Sequence, residues 1–189
     1  MLWPRNWLTC NKTLSKLQES RHNTVAEIDG IQQPRRNEGC ELYTKELESH
    51  LSETLNLPAE AAQWLLDVWA CIQLFDDVAD SDAIDRKDLD KVIWITLVSM
   101  HTNQFFEAKK AALLPVVVTC ILKWQGSDAA ERAGAADARS YVWRAGYYDL
   151  VLFVVQLCHG HEVATKVAPL VMSLYGETFE DYKKEFANA

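Results

Sequence analysis

Between Ala59 and Asp80 the apolar side chains recur every three or four positions, at Trp64, Leu65, Val68, Trp69, Ile72 and Phe75. A strand would place them at every second position, so this spacing predicts a helix with a wide apolar face. Pro58 suits the first turn, where an N–H has no partner to lose, and Glu60 suits the positive end of the helix dipole. A helix with such a face must bury it against neighbours, and the rest of the chain supplies them. Leu14, Leu17, Val25 and Ile28 mark a polar helix over 11–28, followed by a loop at 29–39. Leu42, Leu47, Leu51 and Leu55 mark a second helix over 40–55. A further helix starts near Asp85 and carries Leu89, Val92, Ile93, Ile95, Leu97 and Val98 before a break at 101–103.

Beyond that break, 104–113 is helical in pattern, and Pro115 opens the new segment VVVTCILKW. Gly126-Ser127-Asp128 reads as a turn. Residues 136–158 read as one long helix closed near Gly160, 161–175 as a helix kinked or restarted at Pro169, and 176–186 as a short terminal helix. The β-branched runs 92–98 and 116–122 would also suit buried strands. Their flanks keep helical spacing and hairpin dipeptides are missing, which favours helices. The expectation is an all-α, single-domain multi-helix bundle over 1–189, with 1–57 as a looser helical hairpin packed on a 58–189 core.

Charge narrows the function classes. The net charge is −8, which disfavours the phosphates of nucleic acid. Twelve-residue uncharged stretches at 111–122 and 150–161 fall short of the ~20 apolar residues that span a bilayer. Five cysteines lie far apart with no CxxC pair, which suggests reduced thiols and a cytoplasmic protein. Seven tryptophans imply a large buried core, an interface, or both.

The chemistry-bearing stretch is WACIQLFDDVADSD, residues 69–82. On a helix Gln73 neighbours Asp76 and Asp77, and both of those neighbour Asp80. Carboxylates at this spacing can share a hard cation such as Mg²⁺, which then bridges phosphate oxygens. Their place at the negative end of a helix is unfavourable, the kind of local conflict that functional sites carry. The plainer reading is a solvated junction between two helices, with Asp82 or Asp85 capping the second. Asp76-Asp77-Val78-Ala79-Asp80 resembles the first aspartate-rich motif, DDxxD, of isoprenoid and terpene synthases. That resemblance implies an all-helical fold in which Asp76, Asp77 and Asp80 hold Mg²⁺ against a substrate diphosphate. The second metal motif of those synthases has no counterpart in the chain.

Other constellations are thinner. Arg144 and Asp149 stand inside an apolar helix, five residues apart and so facing different ways. Asp149 is a candidate further metal ligand and Arg144 a candidate phosphate contact; a structural ion pair or buried polar network is the plainer role for both. Cys158, His159, His161 and Glu162 cluster in sequence without a second ligand pair. Glu177, Glu180 and Asp181 alternate with Lys183 and Lys184 as on a solvated, ion-paired helix. Glu38 and Glu41 fit half of the paired acidic motifs of all-helical nucleotide pyrophosphohydrolases. SYVWRAGYYDLVLFVVQLCHG, followed by LYGETFEDYKKEF, is similar to helical proteins of unassigned role encoded by phages and prophages. The first functional expectation is therefore a helical binding or assembly protein, with a protein partner or self-association and no catalysis. The second is a Mg²⁺-dependent protein acting on or binding a diphosphate.

Overall fold

The structure, a computed structural model, describes residues 36–186. The helix expected at 11–28 and most of the loop expected at 29–39 lie outside them. Among the described residues there are eight helices and no strand: α1 Arg36–Ser49, α2 Ala59–Asp80, α3 Arg86–Trp94, α4 Gln104–Arg132, α5 Ala138–Arg144, α6 Gly146–His159, α7 His161–Ser173 and α8 Phe179–Phe186. Both β-branched runs are helical. α1 continues through a wider π-type turn at His50–Thr54, and α3 through another at Ile95–Ser99 into Met100–Thr102.

The main core forms where α1, α2, α4, α6 and α7 converge. Leu51, Leu65, Leu113, Val151 and Val154 are fully enclosed there. Burying an aliphatic side chain of this size stabilises by about 1.5–3 kcal/mol before entropy is counted. A run of aromatic contacts carries the packing outward. Trp69 meets Tyr147 at 5.0 Å, Tyr148 meets Tyr175 at 5.6 Å, and Tyr175 meets Tyr141 at 5.4 Å. A smaller cluster of Cys71, Leu74, Val92 and Ile95 closes the seam between α2 and α3.

Two expected breaks are absent and one unexpected break is present. Pro115 and Gly126 both lie inside the single 29-residue helix α4. Pro115 removes one N–H on an exposed face, where water reaches the freed carbonyl. A Cβ at Gly126 would stand 3.0 Å from the Trp143 ring, so a small residue is needed for α5 to pack there. Ser127 and Asp128 are buried helix residues, not turn residues. The expected 136–158 helix is instead two, broken at Ala145, whose N–H bonds to Val142 O in a tight turn. Arg144 and Tyr147 are both buried and three positions apart; an unbroken helix would point them the same way. The break sends Arg144 toward α4 and α8, and Tyr147 to the Leu65 carbonyl, 3.0 Å away. Pro169 is carried within α7.

Candidate functional site

The acidic stretch follows from how α2 is filled. Leu65, Trp69, Ile72 and Asp76 fall at successive steps of four, three and four, so Asp76 continues the stripe that faces the core. It is only 8% exposed, and Asp77 is half-buried. Asp76 therefore does not stand in open solvent, as the plainer junction reading expects. The side chain of Asp80 lies outside the description. Ser81 closes α2 in the left-handed region at φ 61°, and the Asp82 N–H donates to Asp77 O at 2.9 Å. Asp82 thus belongs to the end of α2. The cap of α3 is Asp85, whose carboxylate accepts from Lys87 N–H at 2.9 Å. Asp88 sits in the first turn of α3, and Arg86 pairs with Asp90 at 2.9 Å across one turn.

Asp149 lies elsewhere. Tyr147 bonds to Leu65 O and His159 lies 3.2 Å from Leu55 O, so α6 runs antiparallel to α2. Asp149 is then level with the first half of α2, while Asp76 is seven residues past Trp69, about 10 Å farther along the axis. Asp149 is exposed and pairs with Lys123 of α4. Among the described residues no group of three His, Cys, Asp or Glu side chains could hold a metal ion.

Arg144 is 1% exposed. Its Nη1 lies 3.2 Å from Glu131 Oε1, and its guanidinium stands 5.5 Å from the Tyr182 ring centre. The Tyr182 hydroxyl donates to Glu131 at 2.8 Å and lies 2.6 Å from Ser140 Oγ; Ser127 Oγ lies 2.8 Å from Glu131. Asp128 pairs with Arg132 at 2.5 Å. This is a buried polar network that ties α8 to α4 and α5. Burial and the neighbouring acid raise the Tyr182 hydroxyl well above the usual phenol range, so it stays protonated and keeps donating. Ser127, Asp128 and Glu131 were missed as site residues, yet they continue the α4 stripe of Leu113, Cys120 and Trp124 at helical steps.

Glu177 is buried ahead of α8 and accepts from Tyr175 O–H at 2.6 Å, while Glu180–Lys183 and Asp181–Lys184 form surface pairs. The Cys158–Glu162 cluster is divided between the end of α6 and the start of α7 at Gly160, φ 83°. Burial pushes the Cys71 and Cys120 thiols up to about 11, which leaves them as unreactive thiols at neutral pH.

Two surface faces stand out against this interior. On α3, Trp94 is 66% and Leu97 71% exposed, beside Leu89, Ile93 and Val98. Phe75 and Val78 of α2 are exposed as well. On α4, Leu114, Val118, Ile121 and Leu122 are exposed within the stretch 111–122, which has no charge at all. A helix apolar on both sides is normally covered on both sides. Among the described residues no helix is long and apolar enough to cross a membrane.

Among the described residues the fold is an all-α helical bundle with exposed apolar faces on α3 and α4. Compared with protein-family models, curated proteins and solved structures, the chain matches none.

Proposed function

We propose that this chain is a helical binding or assembly protein, and that it works by covering the outer faces of α3 and α4 with a macromolecular partner. The observation that carries this reading is the exposure of Trp94, Leu97, Val118 and Leu122 on helices whose other sides are already packed. Aromatic and aliphatic side chains concentrated in this way are the usual anchors of an interface core. The titratable groups favour the same reading: the buried network around Arg144 and Glu131 is inward-facing and structural, and the described thiols are protonated. A photoreactive side chain at position 97 or 118, in cells producing the chain, tests it. Covalent adducts of defined mass are expected from both positions; none from either would contradict the reading.

A second reading rests on the burial of Asp76 beside half-buried Asp77 at the negative end of α2. In it, Asp76, Asp77 and Asp80 bind Mg²⁺ and a diphosphate-containing ligand; Asp149, paired with Lys123, and Arg144, buried against Glu131, are not part of that site. Thermal unfolding with Mg²⁺ plus pyrophosphate decides it. A bound site raises the melting temperature with ligand concentration, adding about 2.7 kcal/mol of folding stability at a hundred times Kd, and Asp76→Asn abolishes the rise. An unmoved transition rules this reading out.

A further inference from the structure

The Tyr182 hydroxyl meets two oxygens that α4 and α5 hold in place between themselves. Glu131 Oε1 lies 2.8 Å from Ser127 Oγ and 3.2 Å from Arg144 Nη1. Ser127 Oγ also stands 2.7 Å from Ser140 O, which ties the two helices at this level. Ser140 Oγ donates to Asp137 O and accepts from Asp137 N–H, both at 2.8 Å, within the capping box of α5. These contacts do not involve α8. With the Arg144 guanidinium 5.5 Å from the ring centre and the Tyr141 ring at 5.4 Å, they surround one phenol. Its hydroxyl finds an acceptor, its ring a cation and an aromatic neighbour.

α8 is complete on its own side. Asp181 N–H donates to Thr178 Oγ1 at 3.2 Å, and Glu180–Lys183 and Asp181–Lys184 pair within the helix. Of its described side chains, 179–184, only Tyr182 is fully enclosed. The preceding strap, 174–178, is pinned separately: Tyr141 O–H donates to Glu177 O at 2.6 Å and Tyr43 O–H to Leu174 O at 3.0 Å. α8 therefore stays tethered when Tyr182 leaves. An apolar socket resists opening because water cannot satisfy it; one lined by Ser127, Glu131, Ser140 and Arg144 is hydrated as the phenol departs. Elements held by few apolar contacts open ahead of the whole fold.

We propose that α4 and α5 form a preorganised phenol-binding socket, and that α8 is its built-in occupant, a latch that opens and closes on it through Tyr182. The ligand class is a tyrosine side chain. With α8 closed, Tyr182 competes with any other tyrosine at the effective concentration of a tethered guest, about millimolar for a short linker. With α8 open, the Glu131 carboxylate and Arg144 guanidinium are offered to a tyrosine of a partner segment. The inference is independent of what covers α3 and α4.

The probe is 4-methylphenol, the tyrosine side chain cut free at Cβ, with toluene as the same ring without the hydroxyl. In the full chain carrying Tyr182→Ala, 4-methylphenol is expected to raise the melting temperature with concentration. Toluene is expected to bind about tenfold more weakly, the worth of one hydrogen bond to a charged group. Wild-type chain is expected to bind 4-methylphenol about tenfold more weakly than the variant, because Tyr182 fills the socket. In the wild-type chain, amide hydrogen exchange is expected to be about tenfold faster or more at 182–186 than at 128–131. Tyr182→Phe, which keeps the ring, is expected to speed exchange at 182–186 about tenfold further and leave 150–155 unchanged. Amides of α8 that exchange only in step with α6, or are unmoved by Tyr182→Phe, overturn the latch. No binding of 4-methylphenol, equal binding of toluene, or equal binding by wild type and Tyr182→Ala overturns the socket. A Tyr182→Ala chain that no longer folds overturns both, because a latch is dispensable to the bundle it closes.

Discussion

Asp67 shows how a single residue records the packing of this bundle. It lies on α2 one turn before Cys71, is buried, and accepts a hydrogen bond from Gln63 at 2.9 Å. Burial raises its carboxyl above the ordinary aspartate value; the Gln63 bond and the nearby Lys91 offset this only in part. A carboxyl with a raised folded-state pKa favours the fold when protonated. Its contribution is fully present below the unfolded value of 3.8 and is lost as pH rises through the folded value. Asp67→Asn keeps the acceptor oxygen and removes the charge. We expect it to raise the melting temperature at pH 7 by a few degrees, with the gain vanishing toward pH 4; an equal gain at both values would contradict this. Asp76, Ser127, Asp128 and Glu131 belong to the same class. Each occupies a step that an apolar residue would fill if the helix stripe simply continued, so each is buried by position. That signal was present in the sequence, because stripe position can be counted. The partners were not: Arg144 meets Glu131 thirteen residues away and Tyr182 thirty-eight away, across three helices.

At the scale of elements, periodicity located most helices and punctuation misplaced some of their ends. α2 and the Asp85 start of α3 fall where spacing and capping chemistry put them. Pro115 and Gly126 did not break α4, because one faces solvent and the other lies under the Trp143 ring. The break at Ala145 has no Pro signal. It comes from the competing demands of Arg144 and Tyr147, with Gly146 just beyond, and these belong to tertiary contact. Gly146 marks a close approach of α6 to α4: a Cβ there would lie 3.4 Å from Cys120 Cα, and the Cys120 thiol donates to Gly146 O at 3.0 Å. Gly146→Val should destabilise the fold by about 1–3 kcal/mol in denaturant unfolding, as overpacking does. A change near zero would show that the two helices can separate freely.

At the scale of the whole molecule, the all-α bundle was legible because helical spacing recurs from α1 to α7 and none of the apolar runs alternates as a strand would. What was not legible is which apolar residues remain outside. Leu89, Val92, Ile93, Ile95, Leu97 and Val98 look alike in sequence, yet only Val92 and Ile95 are buried. The same holds on α4, where Leu113 is enclosed and its neighbour Leu114 exposed. Surplus apolar surface beyond what one core can absorb is a property of the folded whole, and the proposed role in binding or assembly rests on it. The most direct measurement is photo-crosslinking yield in the producing cell at Leu97 and Val118, set against Gln156, an exposed polar position on α6. Discrete adducts are expected at 97 and 118, lost when the adjoining Trp94 or Leu114 is made Gln, and none at 156. Equal yields at all three positions, or none at 97 and 118, would contradict it.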